Sequence, residues 1–159
     1  VMKQQTISLS RRQVLLYGSA ALALTSIGSL WAVPAQASPK DAKQKLAELT
    51  GGAEISKGRI HITLPKLAHD GTRVRIKIQT DSPMTPDDYV RAIHILGERN
   101  TLPEIASYQF TPECGKAELI TRIRLAKSQT IVAAAEMNDG SVYIAKARCN
   151  VARGAGGCG

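Results

Sequence analysis

From Ile60 onward the apolar residues recur every second position. Ile60, Ile62 and Leu64 are separated by polar residues until Pro65 ends the run. Val74, Ile76 and Ile78 alternate with Arg73, Arg75 and Lys77. Leu119, Thr121, Ile123 and Leu125 alternate with Ile120, Arg122 and Arg124. A period of two places alternate side chains on opposite faces of a strand, so each run reads as a half-buried β-strand. Tyr89 to Leu96 and Ile105 to Phe110 are further β-rich runs. Ile131 to Met137 is apolar nearly throughout, as in a strand at the centre of a sheet. Asn138-Asp139-Gly140 is a hairpin turn, from which Ser141 to Arg148 returns as the last strand. About seven short strands with evenly spaced turns predict an all-β, immunoglobulin-like antiparallel sandwich, with a small barrel as the alternative.

Upstream the period changes. Ser38-Pro39-Lys40-Asp41 opens a short helix: Ser38 suits the cap, Pro39 the first turn and Asp41 the positive end of the dipole. Leu46 and Leu49 form its apolar side, and Gly51-Gly52 stops it.

The first residues have a different character. Arg11 and Arg12 precede an uncharged, Ala/Leu-rich stretch from Val14 to Val33, and Ala35-Gln36-Ala37 is a small-residue cleavage site. This is the layout of an export signal, and the paired arginines suggest the twin-arginine route. A retained anchor is the competing reading, but the glycines, serines and threonine in the stretch make it only mildly apolar. The expected organisation is a signal over 1–37, a helix and linker over 38–52, a sandwich over 53–150 and an arm over 151–159. Cleavage leaves 18 basic and 13 acidic residues, a net charge of +5 that favours anionic partners. Export argues against a nucleic-acid partner, and removal of the signal leaves no membrane segment.

The arm is the sharpest feature. The chain ends GAGGCG, with Cys158 among Gly154, Gly156, Gly157 and Gly159. Glycine loses the most entropy on ordering and offers no side chain to pack, so the tail reads as a thin, mobile tether with a thiol near its tip. Cys114 lies after the Phe110 run and Cys149 at the end of the last strand. Three cysteines in an oxidising compartment leave one unpaired. A Cys114–Cys149 disulfide would leave Cys158 free, whereas a Cys149–Cys158 disulfide would lock the tail. His61, His69 and His94 share no metal-ligand spacing. The basic strand faces carrying Arg73, Arg75 and Lys77, and Arg122 and Arg124, read as solvated, or else as a surface for acidic proteins or an anionic adduct.

Three segments, LTGGAEISKGRIHITLP, LPEIASYQFTPECGKAELITRIRLAKSQTIVAAAEMNDGSVYIAKA and the terminal GGCG, resemble the SoxY family of the periplasmic thiosulfate-oxidation (Sox) system. The resemblance implies an immunoglobulin-like fold and a heterodimer with a second small sandwich protein, SoxZ. It implies that Cys158 is the attachment point for covalent sulfur intermediates, with no other cofactor. It implies loading of thiosulfate by the haem enzyme SoxAX, release of sulfate by SoxB and, in systems that have it, oxidation of the remaining sulfur by SoxCD. The chain would be a carrier and not a catalyst. It departs from the family in ending one glycine short of Gly-Gly-Cys-Gly-Gly, and in the segment ARCNVARGA, where the family runs a valine-rich strand into the arm. The competing readings are a binding module whose cysteines serve only as disulfides, and a thiol-disulfide oxidoreductase, which would need a Cys-x-x-Cys that this chain lacks.

Overall fold

The computed structural model describes residues 37–154. They form one helix, α1 (Pro39–Leu49), and nine strands: β1 (Ile55–Lys57), β2 (Ile60–Thr63), β3 (Leu67–Asp70), β4 (Val74–Thr80), β5 (Val90–Gly97), β6 (Glu104–Gln109), β7 (Glu118–Ile123), β8 (Gln129–Met137) and β9 (Val142–Arg153). The larger sheet has the order β1-β9-β8-β5-β6, with β3 also paired to β9; β2-β4-β7 form the smaller one. The two sheets close on each other as a sandwich of the immunoglobulin-like kind that the alternation predicts.

The inward residues of both sheets build the core. Ile76 and Ile78 of β4 meet Ile93 and Ile95 of β5 and Ile131, Ala133 and Ala135 of β8, all buried. The opposite face of β5 and β8 is apolar as well, because α1 lies over it: Leu46 packs with Leu96, Val132, Ala134 and Val142. This is why β8 lacks alternation. It is the central strand between β5 and β9, and it is covered on both faces.

Local chemistry sets the ends of these elements. Ser38 caps α1 in a capping box: the Asp41 N–H donates to Ser38 Oγ and the Ser38 N–H donates to Asp41 Oδ2. Gly51 and Gly52 take positive φ and end the helix. In the β8–β9 hairpin, Asp139 Oδ1 accepts from the Ser141 N–H, and Gly140 occupies the left-handed region at φ 84°.

Two strands escape the sequence reading. β1 and β3 are three and four residues long, and most of their side chains are exposed. They carry no alternation because they pair only through backbone, each lying parallel to one half of β9. The end of β9 also differs. The strand continues through Arg153, so Val151, Ala152 and Arg153 belong to the sandwich and not to the arm.

Ile93 is fully buried at the centre of the core. Ile93→Ala should cost about 2–5 kcal/mol, read as a lowered denaturant midpoint at unchanged slope.

Candidate functional site: the root of the C-terminal arm

Cys158, Gly156, Gly157 and Gly159 lie outside the described residues, as do Arg11 and Arg12. What is described is the platform from which the tail departs. β9 is paired along its length, by β8 and then by β3, with β1 on its other edge at Val142–Ile144. β8 pairs with it from Val142 to Cys149, and β3 pairs with it from Asn150 to Arg153.

Side chains and turns take over where β8 stops. The Val151 N–H donates to Ser128 Oγ at 2.8 Å. The Gly71 N–H donates to the Arg153 carbonyl at 2.7 Å, and the Leu125 N–H donates to the Gly71 carbonyl at 2.8 Å. Gly71 therefore joins the end of β9 to the chain leaving β7. Gly154 comes next, against the Ala126 carbonyl, and a β-carbon at this position would overlap that oxygen. Only glycine passes here.

The Ala126 wall is itself fixed. The Ala126 N–H and the Gln129 side-chain amide both donate to Asn100 Oδ1, at 3.0 and 2.7 Å. The Asn100 amide donates to the Arg124 carbonyl at 2.9 Å. Gln129 is buried, and its Oε1 accepts from the Arg99 N–H. These groups position the root. Serine, glycine and asparagine in loops carry no periodic signal, so pattern reading did not single out Ser128, Gly71 or Asn100.

The structure does not join Cys114 to Cys149; both thiols are free. Cys149 faces inward from β9 and is fully buried among core residues, and burial raises its thiol pKa. Cys114 is exposed on the short 3-10 turn Pro112–Cys114 between β6 and β7, with Thr111 Oγ1 4.0 Å from its sulfur. One side chain points into the sandwich and the other into solvent.

The histidines fall on three different strands. His61 on β2 is exposed, 3.0 Å from Asp81, and His69 on β3 is exposed. His94 on β5 is buried and lies opposite Ser107 of β6. Ser107 Oγ donates to Glu104, so His94 Nδ1 carries the proton of the 2.8 Å contact to Ser107. Its Nε2 has no hydrogen-bond partner and stands 3.9 Å from Glu136, which is also held by Arg91. Burial lowers the His94 pKa, against the pull of Glu136 and Glu104. The two basic stripes seen in the sequence share one surface, because β4 and β7 are neighbours and Arg75 lies directly opposite Arg122.

The described residues thus form an immunoglobulin-like sandwich whose last strand is anchored to its final residue, Arg153, and is followed by a position that only glycine fits. The family profile of the sulfur oxidation protein SoxY matches residues 46–158, and the chain belongs to that family. Among solved structures, the sulfur carrier protein SoxY from Chlorobium limicola f thiosulfatophilum is similar at 26% identity and a TM-score of 0.61, covering 72% of this chain and 98% of that one. A superoxide reductase (neelaredoxin) from Ignicoccus hospitalis shares the fold at 13% identity and a TM-score of 0.52, over 72% of this chain and 94% of that one. A putative superoxide reductase from Thermotoga maritima does so at 18% identity and a TM-score of 0.52, over 62% and 93%. No curated protein matches by sequence.

Two measurements test this site. Ser128→Ala removes the hydrogen bond to Val151 and should cost about 0.5–1.5 kcal/mol, with faster hydrogen exchange at the Val151 amide than at β8 amides. His94 has a folded pKa below its unfolded value, so the unfolded chain takes up the proton first. The stability linked to the neutral ring is full above the ordinary histidine value of 6.5 and is lost as pH falls below it. The denaturation midpoint should drop between about pH 7 and 5, and His94→Gln should remove that part of the slope.

Proposed function

We propose that this chain is a covalent sulfur carrier in periplasmic thiosulfate oxidation, exported by the twin-arginine route, with Cys158 as its attachment point. The observation that carries the reading is the family match running through residue 158, over a strand held rigid to Arg153. Beyond Gly154, four residues span at most about 14 Å to Cys158. A tether of that length keeps a bound intermediate at high local concentration while its carrier visits successive active sites.

The chemistry needs a thiol and an external oxidant. Thiosulfate joins the Cys158 sulfur through a new S–S bond, the thiol proton leaves, and two electrons pass to a haem enzyme of the SoxAX type. Water then cleaves the terminal S–S bond in a SoxB-type step, releasing sulfate and leaving a persulfide on Cys158. A SoxCD-type enzyme oxidises that sulfur where one is present. The chain itself holds and presents the adduct, as a heterodimer with SoxZ. The net charge of +5 after export suits anionic sulfur groups.

Burial of Cys149 supports this division of labour. A free thiol beside a persulfide would capture its sulfur by exchange. In the core, at raised pKa, the Cys149 thiol is withheld from that reaction.

The first measurement is mass analysis, without reductant, of protein from thiosulfate-grown cells. Cleavage after Arg153 releases Gly154 to Gly159 as a separate peptide. A reducible sulfur adduct on that peptide is the expected result, absent in Cys158→Ser. A Cys158 that stays bare, or is bonded to Cys149 in every preparation, would return the chain to the binding-module reading.

A further inference from the structure

The outer face of the smaller sheet is not balanced along its length. At one end Glu118 takes Lys77 at 3.3 Å and the Gln79 amide at 3.0 Å. At the other end Arg75 and Arg122 are directly opposite each other across β4 and β7, and neither has a carboxylate within ion-pairing distance among the described residues. Like charges directly opposite on adjacent strands destabilise a sheet. Between the two ends stands Ile120, 49% exposed, lining a shallow groove with Arg75, Thr121 and Arg122.

The position of this pair is informative. Arg122 is three residues before Leu125, whose N–H donates to the Gly71 carbonyl, and the Gly71 N–H donates to the Arg153 carbonyl. The uncompensated end of the sheet is therefore the end tied to the root of the arm. A small oxyanion bound here would satisfy the guanidinium groups but leave Ile120 in water. A protein surface covers all three.

We propose that Arg75, Ile120 and Arg122 form a docking pad for an acidic protein surface on the enzyme that loads the arm. Carboxylates of that surface take up the two guanidinium groups, in the planar paired geometry that arginine favours, and an apolar recess takes up Ile120. The assignment rests on the carrier reading. It adds the face by which the carrier is held while the tether is engaged.

The test uses the mature chain in its heterodimer and the haem enzyme that joins thiosulfate to the thiol. Titration calorimetry at low salt should show Arg75→Glu/Arg122→Glu binding about tenfold or more weakly than wild type, with the salt dependence of wild-type affinity largely gone. Ile120→Ser should weaken binding and keep the salt dependence. Stability should move the opposite way: either single reversal places Glu opposite Arg and should raise Tm. Equal affinities for wild type and double variant would overturn the pad. So would loss of the heterodimer in the double variant, which would place the pad in the subunit interface. So too would saturable binding of inorganic sulfate that the double variant loses, with Ile120→Ser leaving binding of the enzyme unchanged, the mark of a small-anion site. Loading of Cys158, read by mass on the same samples, reports separately on the carrier reading: a wild type that binds but never loads keeps the pad and removes the carrier.

Discussion

The structure depends on one strand being held from both sides. β9 is twelve residues long, and its backbone is satisfied by β8 on one edge and by β1 and then β3 on the other. Without that second edge its last residues would extend past β8 with unpaired N–H and C=O groups, a state that frays in water. The parallel pairing to β3 carries order out to Arg153. Glycine follows at once, at a place where the Ala126 carbonyl excludes a side chain. Under the proposed function, a root fixed at Arg153 leaves the reach of the Cys158 thiol to be set by the few residues that follow it.

Much of this was legible in the sequence. The capped helix at Ser38, the alternating strands, the central run of β8 and the Asn138-Asp139-Gly140 hairpin all follow from local patterns, because each is decided by which face is wet or by one special backbone angle. The parts that were not legible are those decided by backbone pairing at long range. β1 and β3 lack a periodic signature since most of their side chains face solvent. The arm was expected to begin at 151, because Val151 to Arg153 look unremarkable until Leu67 to Asp70 are seen beside them. The cysteine count invited a Cys114–Cys149 pair, but parity along β9 turns Cys149 inward, away from an exposed turn.

The basic stripes show the same division. Their existence was plain from alternation. Their merger into one face, with Arg75 against Arg122 and Glu118 neutralised at the far end, needs the β4–β7 register. Register also separates two kinds of charge on this surface: those whose partner is internal, and those the fold leaves unsatisfied beside the tether.

The parallel clasp at the root has a mechanical side. In the proposed function, a partner that draws the tail into its own active site pulls on β9 along the strand axis. The hydrogen bonds to β3 and β8 run across that axis, so they are loaded together in shear instead of being peeled one after another. Shear is the stiff direction of a sheet. Under the proposed function, tension applied at the C-terminal tip is thus borne by the whole of β9 and not by its last residues alone.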